Sequence, residues 1–72
     1  SNTQINLLKA ITSGTSQLTA TQSITEFALG TSANVVKNQR VLEKKEFLNR
    51  IKGGYELEDP VFEIWFKKRF TD

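Results

Sequence analysis

The stretch Leu29-Gly-Thr-Ser-Ala-Asn-Val-Val-Lys-Asn-Gln-Arg-Val-Leu42 constrains the fold more than any other part of the chain. It reads as a glycine-broken turn followed by a helix with Thr31 as its N-cap. At 100° per residue, Val35 and Leu42 fall within about 20° of one another. Lys37, Arg40 and Lys44 fall within about 60° of each other on the far side, with Ala33 among them. Such a helix is glued down along one face and offers a basic stripe on the other. A helix-turn-helix unit needs that arrangement to lay its second helix in a DNA major groove.

The flanking signals extend the pattern. Thr3 can cap a first helix whose Ile5, Leu8 and Ile11 recur every three residues, with Leu7 widening the stripe and Gly14 as the stop. Thr19 and Gln22 have the spacing of a capping box for a second helix. Ile24, Phe27 and Ala28 would face the core there, with Leu29 folded back beneath them and Gly30 free to turn into the third helix. That third helix is expected from about Ser32 to Glu46. Phe47-Leu-Asn-Arg-Ile51 and Tyr55-Glu-Leu57 alternate as strands around a Gly53-Gly54 turn. Gln17-Leu18 could supply a short third strand. Asp59-Pro60 is a cap followed by the residue best suited to a first helical turn, opening a helix to Phe70. The fold expected is mainly α with a small β-hairpin: a winged helix-turn-helix of three helices, a two-stranded wing and a C-terminal helix, over residues 3–70.

Seventy-two residues make one small domain, and with no cysteine and no histidine it has no disulfide staple and no zinc finger. Five Phe, one Trp and one Tyr must therefore supply a dense core. No apolar run is long enough to cross a membrane and no signal-peptide pattern leads the chain, so a cytoplasmic protein with no membrane partner is expected. Ser1-Asn2 reads as the remnant of a cleaved tag, and the rest as a domain excised from a larger protein.

Catalysis is not expected. Imidazole and thiolate chemistry is absent, and nothing activates a Ser or Thr as a nucleophile. The lone Gly pair in Lys52-Gly-Gly-Tyr55 lacks the rest of a phosphate-binding loop. Glu56, Glu58 and Asp59 could at most hold magnesium weakly, and they read more simply as a strand edge and a helix cap.

Two surfaces are candidates for function. On the first, Ser32, Asn34, Lys37, Arg40 and Lys44 on the third helix, with Lys52 at the hairpin tip, would meet double-stranded DNA. Ser32 at the helix N-terminus suits a phosphate, Arg40 a guanine edge or phosphate, and the lysines act as point charges. Ten cationic against eight acidic residues is a weak excess, and Glu43 and Glu46 could pair with lysines one turn away, leaving an ordinary solvated face. The second surface is the C-terminal helix. Val61, Ile64, Trp65 and Phe62 share a broad side expected to close the core, with Trp65 mostly buried. Phe66 lies further round and Phe70 almost opposite Val61, so one of them is expected to be exposed and to form a protein interface, with another domain or in a homodimer.

Four segments together carry a family resemblance: Gln4-Ile-Asn-Leu-Leu-Lys-Ala-Ile11, Leu29-Gly-Thr-Ser-Ala-Asn-Val-Val36, Leu42-Glu-Lys-Lys-Glu46 and Leu57-Glu-Asp-Pro-Val-Phe-Glu-Ile-Trp-Phe66. The chain resembles, from about Thr3 to Phe70, the C-terminal winged-helix domain of prokaryotic, archaeal-type AAA P-loop ATPases. Gly-Thr-Ser-Ala-Asn-Val and the Asp-Pro-x-Phe-x-x-Trp-Phe pattern over Asp59, Pro60, Phe62, Trp65 and Phe66 are its more specific parts. The resemblance implies ATP and Mg bound by an N-terminal ATPase body of the parent, not by these residues, none of which forms a Walker motif. It implies a DNA-binding or regulatory role for the winged domain, without assigning DNA contacts to particular residues.

Overall fold

A computed structural model describes residues 2–70. Helix α1 (Asn2–Thr12) buries Leu7, Leu8, Ala10 and Ile11. It starts at Asn2, so Thr3 lies inside the helix and does not cap it; Ser1, half of the expected tag remnant, is outside the described residues. At its end the Thr15 N–H reaches the Ala10 carbonyl at 3.2 Å and the Gly14 N–H reaches Ile11 at 3.0 Å, with Gly14 at φ 85°. This is a Schellman closure, and it needs the left-handed backbone that glycine adopts without strain.

Helix α2 (Thr21–Phe27) and helix α3 (Ser32–Lys44) follow. The same closure ends both, without glycine. Leu29 N–H bonds to Ile24 at 3.0 Å with Ala28 at φ 55°, and Phe47 N–H bonds to Leu42 at 2.9 Å with Glu46 at φ 65°. Leu29 is thereby tucked under α2 and fully buried, as expected, whereas Ala28 is exposed and not part of a buried face. α3 stops at Lys44, two residues before the expected Glu46. Thr19 is also no cap: α2 begins after Ala20, which has no side chain to offer, and only its carbonyl takes the Ile24 N–H at 3.0 Å. Thr31 does cap α3, its Oγ1 accepting from the Asn34 N–H at 3.1 Å. Val35 and Leu42 are the buried residues of α3.

Strands β1 (Leu48–Ile51) and β2 (Gly54–Leu57) pair antiparallel, with Leu48 opposite Leu57 and Ile51 opposite Gly54. The turn is Lys52-Gly53, one residue earlier than expected, with the positive φ (86°) at Gly53. Leu48 and Leu57 anchor the base of the hairpin in the core, while Asn49, Arg50 and Ile51 stand in solvent. Among the described residues the sheet has two strands. The segment expected to add a third passes close to β2, a Cβ at Gly54 lying 3.7 Å from the Ser16 Cα, but forms no ladder, and Leu18 drops into the core instead.

Helix α4 (Pro60–Phe70) opens as expected, the Asp59 carboxylate accepting from the Val61 N–H at 2.9 Å. Its orientation is the reverse of the expectation. Phe66 is buried (1% exposed), and Phe62 and Phe70 are half-buried beside it. Val61, Ile64 and Trp65 point outward, 74, 59 and 54% exposed. The Phe62, Phe66 and Phe70 rings, four residues apart, form one continuous ladder with centroids 5.9 and 4.8 Å apart. Leu7, Leu29, Val35 and Phe66 are the largest fully buried side chains, so the core sits where the three long helices and the hairpin base meet.

Candidate functional site

The first candidate surface lies on α3. Ser32, Asn34, Lys37, Arg40 and Lys44 are all exposed, and the helix carries the three cations as a stripe opposite Val35 and Leu42. Asn34 is the most committed of the group. Its N–H goes to the Thr31 cap, its carbonyl accepts from the Asn38 amide at 2.9 Å, and its own amide lies 3.2 Å from where a Cβ at Gly30 would sit. Asn38 in turn accepts from Gln4 at 3.3 Å and ties α3 to α1.

Of the two acids expected to blunt this stripe, Glu43 is used elsewhere, while Glu46 is exposed past the end of α3. Glu43 accepts from the Arg50 guanidinium at 3.2 Å, across to β1. That hydrogen bond, then the Glu43 charge and Tyr55, raise the Arg50 pKa above its ordinary value. The guanidinium also lies 5.6 Å from the Tyr55 ring centroid. Among the described residues, Lys37, Arg40 and Lys44 make no ion pair. Lys52 is exposed at the hairpin tip, where it lines a shallow cleft with Thr15 and Ser16; no hydrogen bond or ion pair links it to the α3 stripe. Arg50 carried no signal that set it apart in the sequence, because its partner Glu43 is seven residues away and is reached only through the hairpin.

The second surface lies on α4 and the α3–β1 junction. Trp65 stacks on Phe62 at 5.7 Å and 29°, and Phe62 meets the partly exposed Phe47 at 5.5 Å. Below them opens a groove of about 250 Å³ whose walls include Ile5, Leu8, Leu42, Phe47, Phe62 and Trp65. Phe66 forms part of its floor and is core, and Phe70 is half-covered, so neither is the exposed interface ring expected of one of the two. Two cations lie over Phe70: Lys9 from α1 at 5.9 Å and Arg69 at 5.3 Å from the ring centroid. Glu63 and Lys67 pair at 3.4 Å along one flank of the helix. The exposed apolar face is therefore Val61, Ile64 and Trp65, continued by Phe47.

Among the described residues no catalytic constellation accompanies either surface. Glu56 accepts from Asn49 across the hairpin at 3.3 Å and Asp59 is occupied as a cap. Among the described residues no cluster of acidic side chains could hold a metal ion, and no helix is long and apolar enough to cross a membrane.

Neither the curated proteins nor the solved structures contain a match to this chain. The profile of one family, described as a probable winged helix domain, matches residues 1–68, and with helix, helix, helix, hairpin and helix in that order the chain belongs to that family.

Proposed function

We propose that this winged-helix domain is a non-catalytic interaction module, and that its contact surface is the exposed apolar face of α4, met by another folded polypeptide. The observation that carries the reading is Val61, Ile64 and Trp65 standing together in solvent on a helix whose other side already fills the core. Apolar side chains scattered singly on a surface need no explanation, but a contiguous aromatic and aliphatic stripe rimmed by charge is how protein contacts are built. A large aromatic side chain such as Trp65 is the usual anchor of such contacts. On this reading the domain covers about residues 3–70 of a longer cytoplasmic protein. The resemblance to the C-terminal domains of AAA-type ATPases supports an ATP- and Mg-binding parent.

Trp65 is the only tryptophan, so it reports on its own surface. Acrylamide should quench its emission freely in the dilute domain, and less in concentrated solution or in a longer protein carrying the domain. An indole equally accessible in all of these forms would refute the reading.

A second reading, duplex DNA binding through Ser32, Asn34, Lys37, Arg40 and Lys44 with Lys52 of the wing, is favoured by one observation. Glu43 is diverted to Arg50, and among the described residues Lys37, Arg40 and Lys44 make no ion pair. The two readings use different faces and are compatible.

A further inference from the structure

We propose that the groove between α1 and α4 takes one large apolar side chain from an acidic segment of a partner polypeptide, whose carboxylates meet Lys9 and Arg69 at the Phe70 end of the groove. The inference rests on the reading of the domain as an interaction module. Its surface shares Trp65 with the exposed face of α4, but neither Val61 nor Ile64 lines it.

The groove is apolar. Ile5 and Leu8 come from α1, Phe62 and Trp65 from α4, and Phe66 lies in the floor. Gln4, on the α1 side, is bonded to Asn38 at 3.3 Å. Size limits the occupant. A cavity of about 150 Å³ lined by such side chains already holds a benzene ring, whereas drug-sized ligands occupy clefts of about 300–1,000 Å³. The 250 Å³ here therefore matches a single Phe or Leu side chain. Because the groove opens at the surface, the backbone that carries this side chain can pass outside it. One anchor seated in a pocket, with the rest of the segment laid over the rim, is a common way to build a polypeptide contact.

Charge selects the chemistry of that segment. Phe70 ends the α4 side of the groove, and two cations stand at its ring: the Lys9 ammonium 5.9 Å and the Arg69 guanidinium 5.3 Å from the centroid. They come from different helices, and α1 and α4 pack on each other. The ring holds both cations near the groove without neutralising them. Among the described residues neither makes an ion pair. The acids of this helix are already engaged, Glu63 with Lys67 at 3.4 Å and Asp59 as the cap. At the opposite end, Phe47 and Phe62 border Lys45, Glu46 and Asp59, which are mixed in sign. Positive charge is thus concentrated at one end of an apolar slot. An acidic residue close to the anchor is attracted there, and a basic one is repelled.

Titration of the domain with blocked peptides at low salt, followed by the emission of Trp65, tests the proposal. The probe is Asp-Asp-Phe-Asp-Asp, with Lys-Lys-Phe-Lys-Lys and Asp-Asp-Ala-Asp-Asp as controls. The acidic Phe peptide is expected to bind at least about tenfold more tightly than either control. The double variant K9E/R69E, shown to be folded by circular dichroism, should bind it at least about tenfold more weakly and prefer the lysine-flanked peptide. V61S/I64S, altered outside the groove, should bind all three as the wild type does. An acidic Phe peptide that binds no better than the controls, or that is indifferent to K9E/R69E, would overturn the proposal. Octanoate binding in place of every peptide would overturn the polypeptide occupant. If the peptides fail and Trp65 is still shielded in a longer chain, the reading of the α4 face stands and the groove plays no part in it.

Discussion

Replacing Phe66 by Ala should be the most damaging single truncation on α4, and replacing Ile64 by Ala should cost little. Phe66 is 1% exposed and packs against Phe70 and Phe62, with ring centroids 4.8 and 5.9 Å away. A buried Phe→Ala change costs about 3–5 kcal/mol, the sum of lost transfer energy and the cavity left behind. The aromatic pairs add roughly 0.5–1.5 kcal/mol each where their geometry is good. Phe66 also floors an open groove of about 250 Å³, so Phe62, Phe70 and water can partly refill the space. That relaxation puts the expected loss near the lower end, about 3 kcal/mol. A domain of 72 residues has about 4–11 kcal/mol in total, so the variant should lose a large fraction of its stability. Its Tm should fall by roughly 12–24 °C at about 4–8 °C per kcal/mol. Ile64, 59% exposed, should stay within about 0.5 kcal/mol of wild type. Urea denaturation followed by circular dichroism, at protein concentrations too low for self-association, measures both. An Ile64→Ala loss equal to that of Phe66→Ala would show that α4 faces the core in the opposite sense and would refute the packing described here.

Two further outcomes follow from the helix ends and from α3. Ala28→Gly and Glu46→Gly should each stabilise the domain by about 0.5–1 kcal/mol, since relief of about 1–2 kcal/mol of left-handed strain exceeds the added freedom of the unfolded chain; an unchanged or lowered Tm would contradict the φ values of 55° and 65° at those residues. If α3 binds mixed-sequence duplex DNA, the triple variant K37A/R40A/K44A should weaken binding and flatten the logarithmic salt slope by about 2.7. No detectable wild-type binding at about 50 mM salt would leave the stripe as surface chemistry alone.

The parts of this fold that were legible in the sequence are those fixed by local chemistry. Thr31 and Asp59 cap because a short oxygen-bearing side chain sits one position before a helical run, and both hydrogen bonds form. Gly14 and Gly53 mark reversals because their φ values of 85° and 86° suit glycine and little else. Where a distant partner decides, the local pattern misleads. Thr19 has capping-box spacing, yet the preceding segment is held against Gly54 of the hairpin, and the helix enters one residue later at Ala20. Ala28 and Glu46 end their helices in a conformation that neither side chain advertises. It is stabilised by burying the next residue in one case, Leu29, and by feeding Phe47 toward the α4 aromatics in the other. The basic face of α3 was readable from periodicity, but its freedom from Glu43 depended on Arg50 arriving from the hairpin.

Helix α4 was the least legible element, and the reason bears on its use. Its apolar residues occupy both sides, so periodicity offers two candidate inward faces: Val61, Ile64 and Trp65, or Phe62, Phe66 and Phe70. The core takes the second. Three flat rings at four-residue spacing drift only about 40° per step around the helix, and so form one ridge on a helix that packs against α1 and β2. The first set includes two β-branched side chains and an indole whose N–H would need a buried partner. Turning it inward would still leave three phenylalanines outside, a larger apolar surface than the one now exposed. The orientation found therefore minimises, without removing, the apolar area left in water. A helix that is apolar on both sides is characteristically buried on both sides. In this domain one side is covered by its own core, and the surplus on the other is accounted for if a second polypeptide completes the burial.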